Sequence, residues 1–203
     1  MSSSLRWVIT CPLHIEKLLD QELRSLGYKD LKPSAGKVSL ESTLEAGFRI
    51  CLWSRLANRV LLQLGEWDGK DGDSIYQNAR EFTWRDHLQS NQTFAISFQG
   101  TNQHIRHPHY GSQRLKDGLV DHFRDSTGIR PNVDPKNPEV VIWAHLEANQ
   151  LKISLDFSAG PPGIRLTTLA KSSSIPNNAP IPSSFKLICM SKSSADFGDK
   201  YAE

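Results

Sequence analysis

The stretch from Gln99 to Asp134 combines the residue types that most often contact nucleic acid. Guanidinium and ammonium groups neutralise phosphates, an exposed tyrosine ring can stack on a base, and side-chain amides bond base edges or ribose hydroxyls. The cations and the tyrosine are Arg106, Tyr110, Arg114, Lys116, Arg124 and Arg130, and the amides are Asn102, Gln103, Gln113 and Asn132. A helix expected to start at Gly111-Ser112 adds unpaired backbone N–H groups that favour an anion. The stretch therefore indicates a polyanion-binding surface.

The same charges also fit an ordinary solvated helix face. Asp117, Asp121 and Asp125 lie among the cations, and Arg114 with Asp117, or Asp121 with Arg124, has the i,i+3 spacing of an intrahelical ion pair. Taken alone, the residues favour this second interpretation over a nucleic-acid contact.

Three histidines, His104, His107 and His109, could supply imidazole ligands to a metal ion. A structural zinc site needs a fourth ligand, and only Asp117 or His122 could provide one, through a particular fold-back of the chain. We therefore expect no metal. We interpret the three as loop histidines near a polyanion, whose partial protonation makes binding mildly pH-sensitive.

Residues 5–65 have the pattern of a strand, a helix, two short strands, a helix and a strand. The first strand alternates between apolar and polar residues from Leu5 to Ile9. A helix-spaced apolar run then ends at Gly27, and Thr43 can cap the second helix. The apolar run consists of Ile15, Leu18, Leu19, Leu23 and Leu26. This order predicts an α+β fold that begins with a ferredoxin-like subdomain, residues 1–65.

Residues 66–158 predict a second α/β layer with its own core. Ser74 can cap a short helix, and residues 93–98 alternate as a strand. The amphipathic pattern over residues 112–126 predicts a helix, and residues 140–157 read as a β-hairpin. Residues 159–203 are rich in serine and proline, and we expect this tail to be largely disordered.

Composition excludes several classes of protein. No apolar run among the 203 residues approaches the length of a membrane span, and the N-terminus lacks the pattern of a signal peptide, so we expect a cytoplasmic protein with no membrane partner. Residues 1–157 hold 19 Lys and Arg against 19 Asp and Glu, so any polyanion binding must come from local clustering. The phosphate-binding and hydrolase motifs GxxxxGK[ST], GxGxxG and GxSxG are absent.

Four segments resemble the N-terminal region of bacterial bifunctional 23S ribosomal RNA guanine methyltransferases. They are LWSRLANRVLLQLGE (52–66), TFAISFQGTNQHIRHPHYGSQRLKDGLVDHF (93–123), RPNVDPKNPEVVIWAHL (130–146) and KISLDFSA (152–159). The most specific parts are WSRLANR, the YG-x-x-x-LKD-x-LVD-x-F helix and RPNVD. That region of the family comprises a ferredoxin-like subdomain and a THUMP domain, an RNA-binding module. The resemblance covers roughly residues 5–160 and places the THUMP region at about 45–158, with its core at 66–158.

The resemblance implies a module that positions large-subunit ribosomal RNA for guanine-N2 methylation. Carried over by position, the expected RNA contacts are Arg106, Tyr110, Arg114, Lys116, Arg130 and Asn132. Asp117 is expected to cap or pair, and Pro131 to shape a turn. The full-length family uses S-adenosylmethionine, whereas we expect no cofactor and no catalytic residue in this chain.

The chain departs from the family pattern after the last hairpin strand. Relatives continue into a methyltransferase domain, but here GPPGIRLTTLAKSSS follows, and neither the cofactor loop nor the Asn/Asp-Pro-Pro-Phe/Tyr motif occurs. We therefore expect a truncation or frameshift near Gly160, which leaves a chain that is not catalytic by itself. Two alternatives stay open: the catalytic domain is supplied as a separate polypeptide, or the chain is a decayed remnant that folds without a function.

Overall fold

The computed structural model describes residues 4–158. In that range the chain forms two compact units, a first unit of residues 4–63 with 156–158 and a second unit of residues 64–155. Helices and strands alternate in both, as predicted for an α+β protein. The expected disorder of residues 159–203 and the expected frameshift near Gly160 lie outside the described residues. No helix in the described range is long and apolar enough to cross a membrane.

The first unit has the predicted order of elements. They are β1 (Leu5–Thr10), α1 (Glu16–Ser25), β2 (Lys32–Ser34), β3 (Lys37–Ser42), α2 (Leu44–Trp53) and the first half of β4 (Arg59–Asp68). The strands lie in the order β2-β3-β1-β4, and all neighbouring strands are antiparallel. This is the βαββαβ arrangement of a ferredoxin-like fold.

Trp7 forms the centre of the first unit's core. In the sheet register it lies between Leu40 of β3 and Leu62 of β4, and all three side chains are buried. The Trp7 ring also packs on Gly47 of α2, where an added Cβ would come within 2.0 Å of the ring. Helix α2 can therefore approach β1 this closely only because position 47 has no side chain.

An ion pair ties the start of β4 to the last described residues of the first unit. The carboxylate of Asp156 is completely buried and pairs with the guanidinium of Arg59. It also accepts a bond from the backbone N–H of Ser158 (3.0 Å). The N–H of Phe157 donates to the carbonyl of Val60 (2.9 Å), so this corner is fixed by both charge and backbone bonds.

The second unit places helices on a mixed sheet. It contains α3 (Gly72–Glu81), a short 3-10 helix (Trp84–Asp86), β5 (Thr93–Gln99), α4 (Pro108–Thr127), β6 (Asn132–Val133), β7 (Val140–Glu147) and β8 (Gln150–Asp156). The strand order is β8-β7-β5-β6. Strand β5 runs parallel to β6 and β7, and β7 and β8 form the predicted antiparallel hairpin.

Helices α3 and α4 run in the same direction and touch along their length. A Cβ added to Gly118 would lie 2.5 Å from the carbonyl oxygen of Tyr76, so the helices meet backbone to backbone at this point. The Tyr76 hydroxyl donates to Asp121 (2.8 Å), and Arg80 pairs with Asp125 (2.8 Å). Because successive residues of α3 meet successive turns of α4, the two helix starts lie at the same end of the unit.

Three details of the predicted helices were wrong. Leu18 of the predicted apolar stripe is 53% exposed. Helix α3 is capped by Asp71, whose carboxylate accepts from the N–H of Ser74 (2.8 Å), so Ser74 is the capped residue and not the cap. Helix α4 begins at Pro108, one turn before the predicted start at Gly111-Ser112. Proline suits the first position of a helix because its missing N–H would have no partner there.

Candidate nucleic-acid interface

Three loops of the second unit meet at the end where α3 and α4 begin. They are residues 69–71 before α3, residues 100–107 before α4, and the hairpin turn 148–149 between β7 and β8. We call these three segments the loop cluster. The backbone joins two of them directly, since the N–H of Gly69 donates to the carbonyl of Asn149 (2.8 Å).

Gly100 sets the path of the chain as it leaves β5 for the loop cluster. Its φ of +93° is a conformation that side chains strongly disfavour. An added Cβ would also lie 1.9 Å from the carbonyl oxygen of Leu146 in β7. The loop can therefore start so close to β7 only with glycine at this position.

Asn102 is the hydrogen-bonding centre of the loop cluster. Its amide Nδ2 lies within bonding distance of an acceptor in each of the other two loops. The acceptors are the carbonyls of Gly69 (2.9 Å), Lys70 (3.1 Å) and Ala148 (3.2 Å) and Oδ1 of Asn149 (3.3 Å). Its own Oδ1 accepts from the N–H groups of His104 (3.0 Å) and Ile105 (2.7 Å). Asn102 therefore holds the three loops together, and both ends of its amide are engaged in hydrogen bonds within the unit.

Replacing Asn102 with alanine should destabilise the protein by about 2–3 kcal/mol, since several backbone groups lose their partner at once. The measurement is a urea unfolding curve, together with amide hydrogen exchange at His104 and Ile105, which should speed up. Asn91→Ala is the matched control: Asn91 is exposed and its side chain makes no hydrogen bond within residues 4–158. Equal unfolding curves for the two variants would contradict this role of Asn102.

The two helix starts at this end of the unit differ in how their first-turn N–H groups are bonded. Helix α3 begins beside the Asp71 cap, and the pKa of that carboxyl is lowered chiefly by the hydrogen bond from the Ser74 backbone. Helix α4 begins after His107, which makes no side-chain capping bond. At the start of α3 the Asp71 carboxylate already supplies the negative charge that a helix start favours, so a further anion is favoured mainly at the start of α4.

Two cations of the loop cluster face solvent. Arg106 is exposed, and within residues 4–158 it makes no ion pair and no side-chain hydrogen bond. Lys70 is exposed as well and forms no ion pair in the same range. His104, His107 and His109 are exposed around them. Across the described part of the chain no three His, Cys, Asp or Glu side chains converge as metal ligands.

Tyr110 and Arg114 lie one helical turn apart in α4, beside the start of α3. The Tyr110 ring, 44% exposed, packs over Gly72, where an added Cβ would lie 2.4 Å from its hydroxyl. Arg114 donates to the carbonyl of Gly72 (3.1 Å) and pairs with Asp73 (2.6 Å). Its guanidinium also lies 4.9 Å from the centre of the Tyr76 ring. Arg114 is thus largely occupied in holding α3 against α4, whereas Tyr110 keeps a stacking face in solvent.

The other three predicted contacts lie away from the loop cluster. Lys116 follows Arg114 by two residues, about 200° around the helix, so it projects from the opposite flank of α4; it pairs with Asp117 (3.2 Å). Arg130 and Asn132 are exposed beyond the far end of α4, about 25 Å along the helix from Tyr110. The six predicted residues therefore do not form one patch, and only Arg106, Tyr110 and Arg114 lie together.

Lys70 was missed as a candidate contact. The segment Gly69-Lys70-Asp71-Gly72 fails the spacing of a phosphate-binding P-loop, and nothing else in the sequence connects it with Arg106. The turn-rich run WDGKDGDS is the sequence signal that points to Lys70, because exposed turns next to a helix start often carry binding residues.

Family comparisons agree with this architecture. The RlmL ferredoxin-like domain family matches residues 6–61, and the THUMP domain family matches residues 69–156. The ribosomal RNA large subunit methyltransferase K/L of Marinobacter nauticus is 38% identical and that of Pseudomonas aeruginosa 39% identical, each over 150 residues or 74% of this chain. The chain spans about a fifth of these relatives, 21% of each. The predicted order of a ferredoxin-like and a THUMP domain is confirmed.

Solved structures share the fold at low sequence identity. A protein described as a possible methylase from Clostridium difficile 630 superposes with a TM-score of 0.66 at 21% identity, over 78% of this chain and 42% of that one. TrmN from Thermus thermophilus superposes with a TM-score of 0.59 at 18% identity, over 84% of this chain and 51% of that one. At these identities the likeness concerns the fold alone.

Proposed function

Because the chain belongs to the family of RlmL-type ferredoxin-like and THUMP domains, we propose that it is an RNA-binding module that positions 23S ribosomal RNA for guanine-N2 methylation. The observation that carries this proposal is the exposed Arg106 in a loop that Asn102 holds fixed, next to two helix starts and the Tyr110 ring. A rigid loop that presents an unpaired guanidinium is suited to contact a phosphate backbone.

In this proposal the loop cluster binds RNA and catalyses no reaction. Phosphates bind at Arg106 and Lys70 and near the start of α4, whose helix dipole favours an anion. Tyr110 offers the exposed part of its ring to an unpaired base or a ribose. The RNA is thereby held in one orientation, so that a methyltransferase domain can reach a guanine elsewhere on it.

The remaining predicted residues take different roles. Arg114 acts as a positioning residue, because it anchors the start of α3 beside Tyr110. If the RNA runs along α4, its backbone meets further residues at separate points. These are Lys116 on one flank of the helix, and Arg130 and Asn132 beyond its far end. Phosphate contacts spread in this way fix orientation without reading sequence.

Methyl transfer needs S-adenosylmethionine, and we assign none of its steps to these residues. In this proposal the methyl donor binds in a catalytic domain. That domain is a further part of the same protein or, as the alternative, a separate chain; either way the module works with its RNA in the cytoplasm.

Arg106→Ala should lower the affinity for fragments of 23S ribosomal RNA about tenfold, as expected when a charge-assisted contact is removed. Gel shifts at several salt concentrations measure this, and the slope of log affinity against log salt should fall by about 0.7–0.9 because one phosphate contact is lost. Arg85→Ala is the matched control, since Arg85 is exposed beyond the far end of α3. If Arg106→Ala behaved like Arg85→Ala, the loop cluster would not be the binding surface.

A further inference from the structure

The two units differ in charge, although the whole body is neutral. The first unit, residues 4–63 with 156–158, holds nine Lys and Arg against seven Asp and Glu, whereas residues 64–155 hold ten against twelve. The net positive charge therefore belongs to the ferredoxin-like unit and not to the unit that carries the loop cluster. A polyanion that approaches the protein is attracted to the first unit as well.

The WSRLANR segment, residues 53–59, forms a rigid loop in this unit. One oxygen of the Glu22 carboxylate accepts from the Ser54 hydroxyl (2.6 Å), and the other accepts from the N–H of Arg55 (2.8 Å). The Ser54 hydroxyl in turn accepts from the N–H of Ala57 (3.1 Å). The Glu22 carboxylate therefore holds the loop on α1, and its two oxygens are hydrogen-bonded by backbone N–H and hydroxyl donors.

Only two side chains of this segment face solvent freely. Ser54 and Ala57 are buried, and Arg59 is engaged with Asp156. Arg55 and Asn58 are exposed, and neither side chain has a hydrogen bond or ion pair within residues 4–158. The N–H of Asn58 donates to the carbonyl of Thr10 (2.8 Å), so the loop presents a guanidinium and an amide from a fixed backbone.

A further cation, Lys37, lies at the start of β3, two strands away from β4. In the sheet register Thr10 of β1 stands between Lys37 of β3 and Arg59 of β4, so Lys37 is about two strand spacings, or 10 Å, from Arg59. The nearby carboxylate of Glu16 is occupied by the N–H of Gly36 (2.6 Å), which is the main cause of its lowered pKa. The carboxylates at this end of the sheet are therefore engaged, while Arg55 and Lys37 keep their charge for a partner.

We propose that Arg55, Asn58 and Lys37 form a second RNA contact, which binds the sugar-phosphate backbone through the ferredoxin-like unit. The guanidinium of Arg55 can grip a phosphate with two parallel hydrogen bonds, and the ammonium of Lys37 neutralises a neighbouring phosphate. The amide of Asn58 can donate to a phosphate or pair with a ribose 2′-hydroxyl. This inference rests on the proposed function, because it concerns the same RNA, but it uses a surface in the other unit.

The test is binding of 23S ribosomal RNA fragments by the full chain with Arg55→Ala and Asn58→Ala, at several salt concentrations. Arg55→Ala should lower affinity about fivefold to tenfold and reduce the salt slope by about 0.7–0.9, whereas Arg55→Lys should keep most of the slope because it keeps the charge. Asn58→Ala should lower affinity less and leave the slope unchanged. Lys29→Ala is the charge-matched control, since Lys29 is exposed in the same unit and follows α1 in the chain.

The outcomes separate this inference from the proposed function. If Arg106→Ala weakens binding while Arg55→Ala matches Lys29→Ala, the second contact is wrong and the loop cluster stands. If the wild-type chain binds no RNA at all, the second contact and the proposed function are both wrong. Thermal unfolding of each variant, with midpoints equal to that of the wild type, assigns a loss of affinity to the contact itself, because the side chains of Arg55 and Asn58 form no bond with the rest of residues 4–158.

Discussion

Gly100→Ala is expected to destabilise the protein by at least about 3 kcal/mol. A side chain at a positive φ costs about 1–2 kcal/mol, and a Cβ only 1.9 Å from the Leu146 carbonyl oxygen forces β5 and β7 apart at the entry to the loop cluster. The obstacle is backbone, which cannot turn aside as the end of a flexible side chain can. A urea titration followed by far-ultraviolet circular dichroism measures the loss.

Gly27→Ala separates the two causes of this loss. Gly27 has nearly the same φ, +96°, but nothing lies within 4 Å of its added Cβ. It should therefore cost only the conformational part, about 1–2 kcal/mol, and leave RNA binding intact. Should the two alanine variants unfold at the same urea concentration, the close approach of Gly100 to β7 would be refuted.

Arg59→Ala should cost about 3–5 kcal/mol, because it leaves the completely buried Asp156 carboxylate without its cation. A urea titration again measures this loss in the free energy of unfolding. The control is Arg24→Ala, which removes an exposed pair with Asp20 in α1 and should cost at most about 0.5 kcal/mol. Replacing both Arg59 and Asp156 by apolar residues of similar size should recover much of the loss, since no buried charge then remains. A double variant as unstable as Arg59→Ala would show that the pair does not explain the effect.

Local sequence patterns predicted the helices and strands whose positions depend on burying one face of the element. The alternation around Trp7 and the glycine-terminated run of α1 place the first strand and helix of the βαββαβ unit, because burial of one face is what such patterns encode. Helix α4 begins at Pro108 and not at the predicted Gly111-Ser112. Proline, which lacks an N–H, is favourable at the first position of a helix, and this signal is present in the sequence.

Contacts between distant segments could not be predicted from the sequence. The spacing of Arg114 and Asp117 suggested an intrahelical pair, yet Arg114 pairs with Asp73 because α3 lies parallel to α4. In the same way the six expected RNA contacts share one stretch of sequence but not one surface. A helix turns 100° per residue and rises 1.5 Å, so Lys116 and Arg130 are carried to other parts of the unit.

The hydrogen bonds of Asn102 also bear on how the protein folds. They join segments 32 to 47 positions apart in the chain, so they form only after those segments have been brought together against the entropy of closing long loops. A nascent or partly folded chain can possess both helices and still lack the surface to which we assign RNA. On the proposed function, RNA binding at the loop cluster therefore begins only after the second unit has folded.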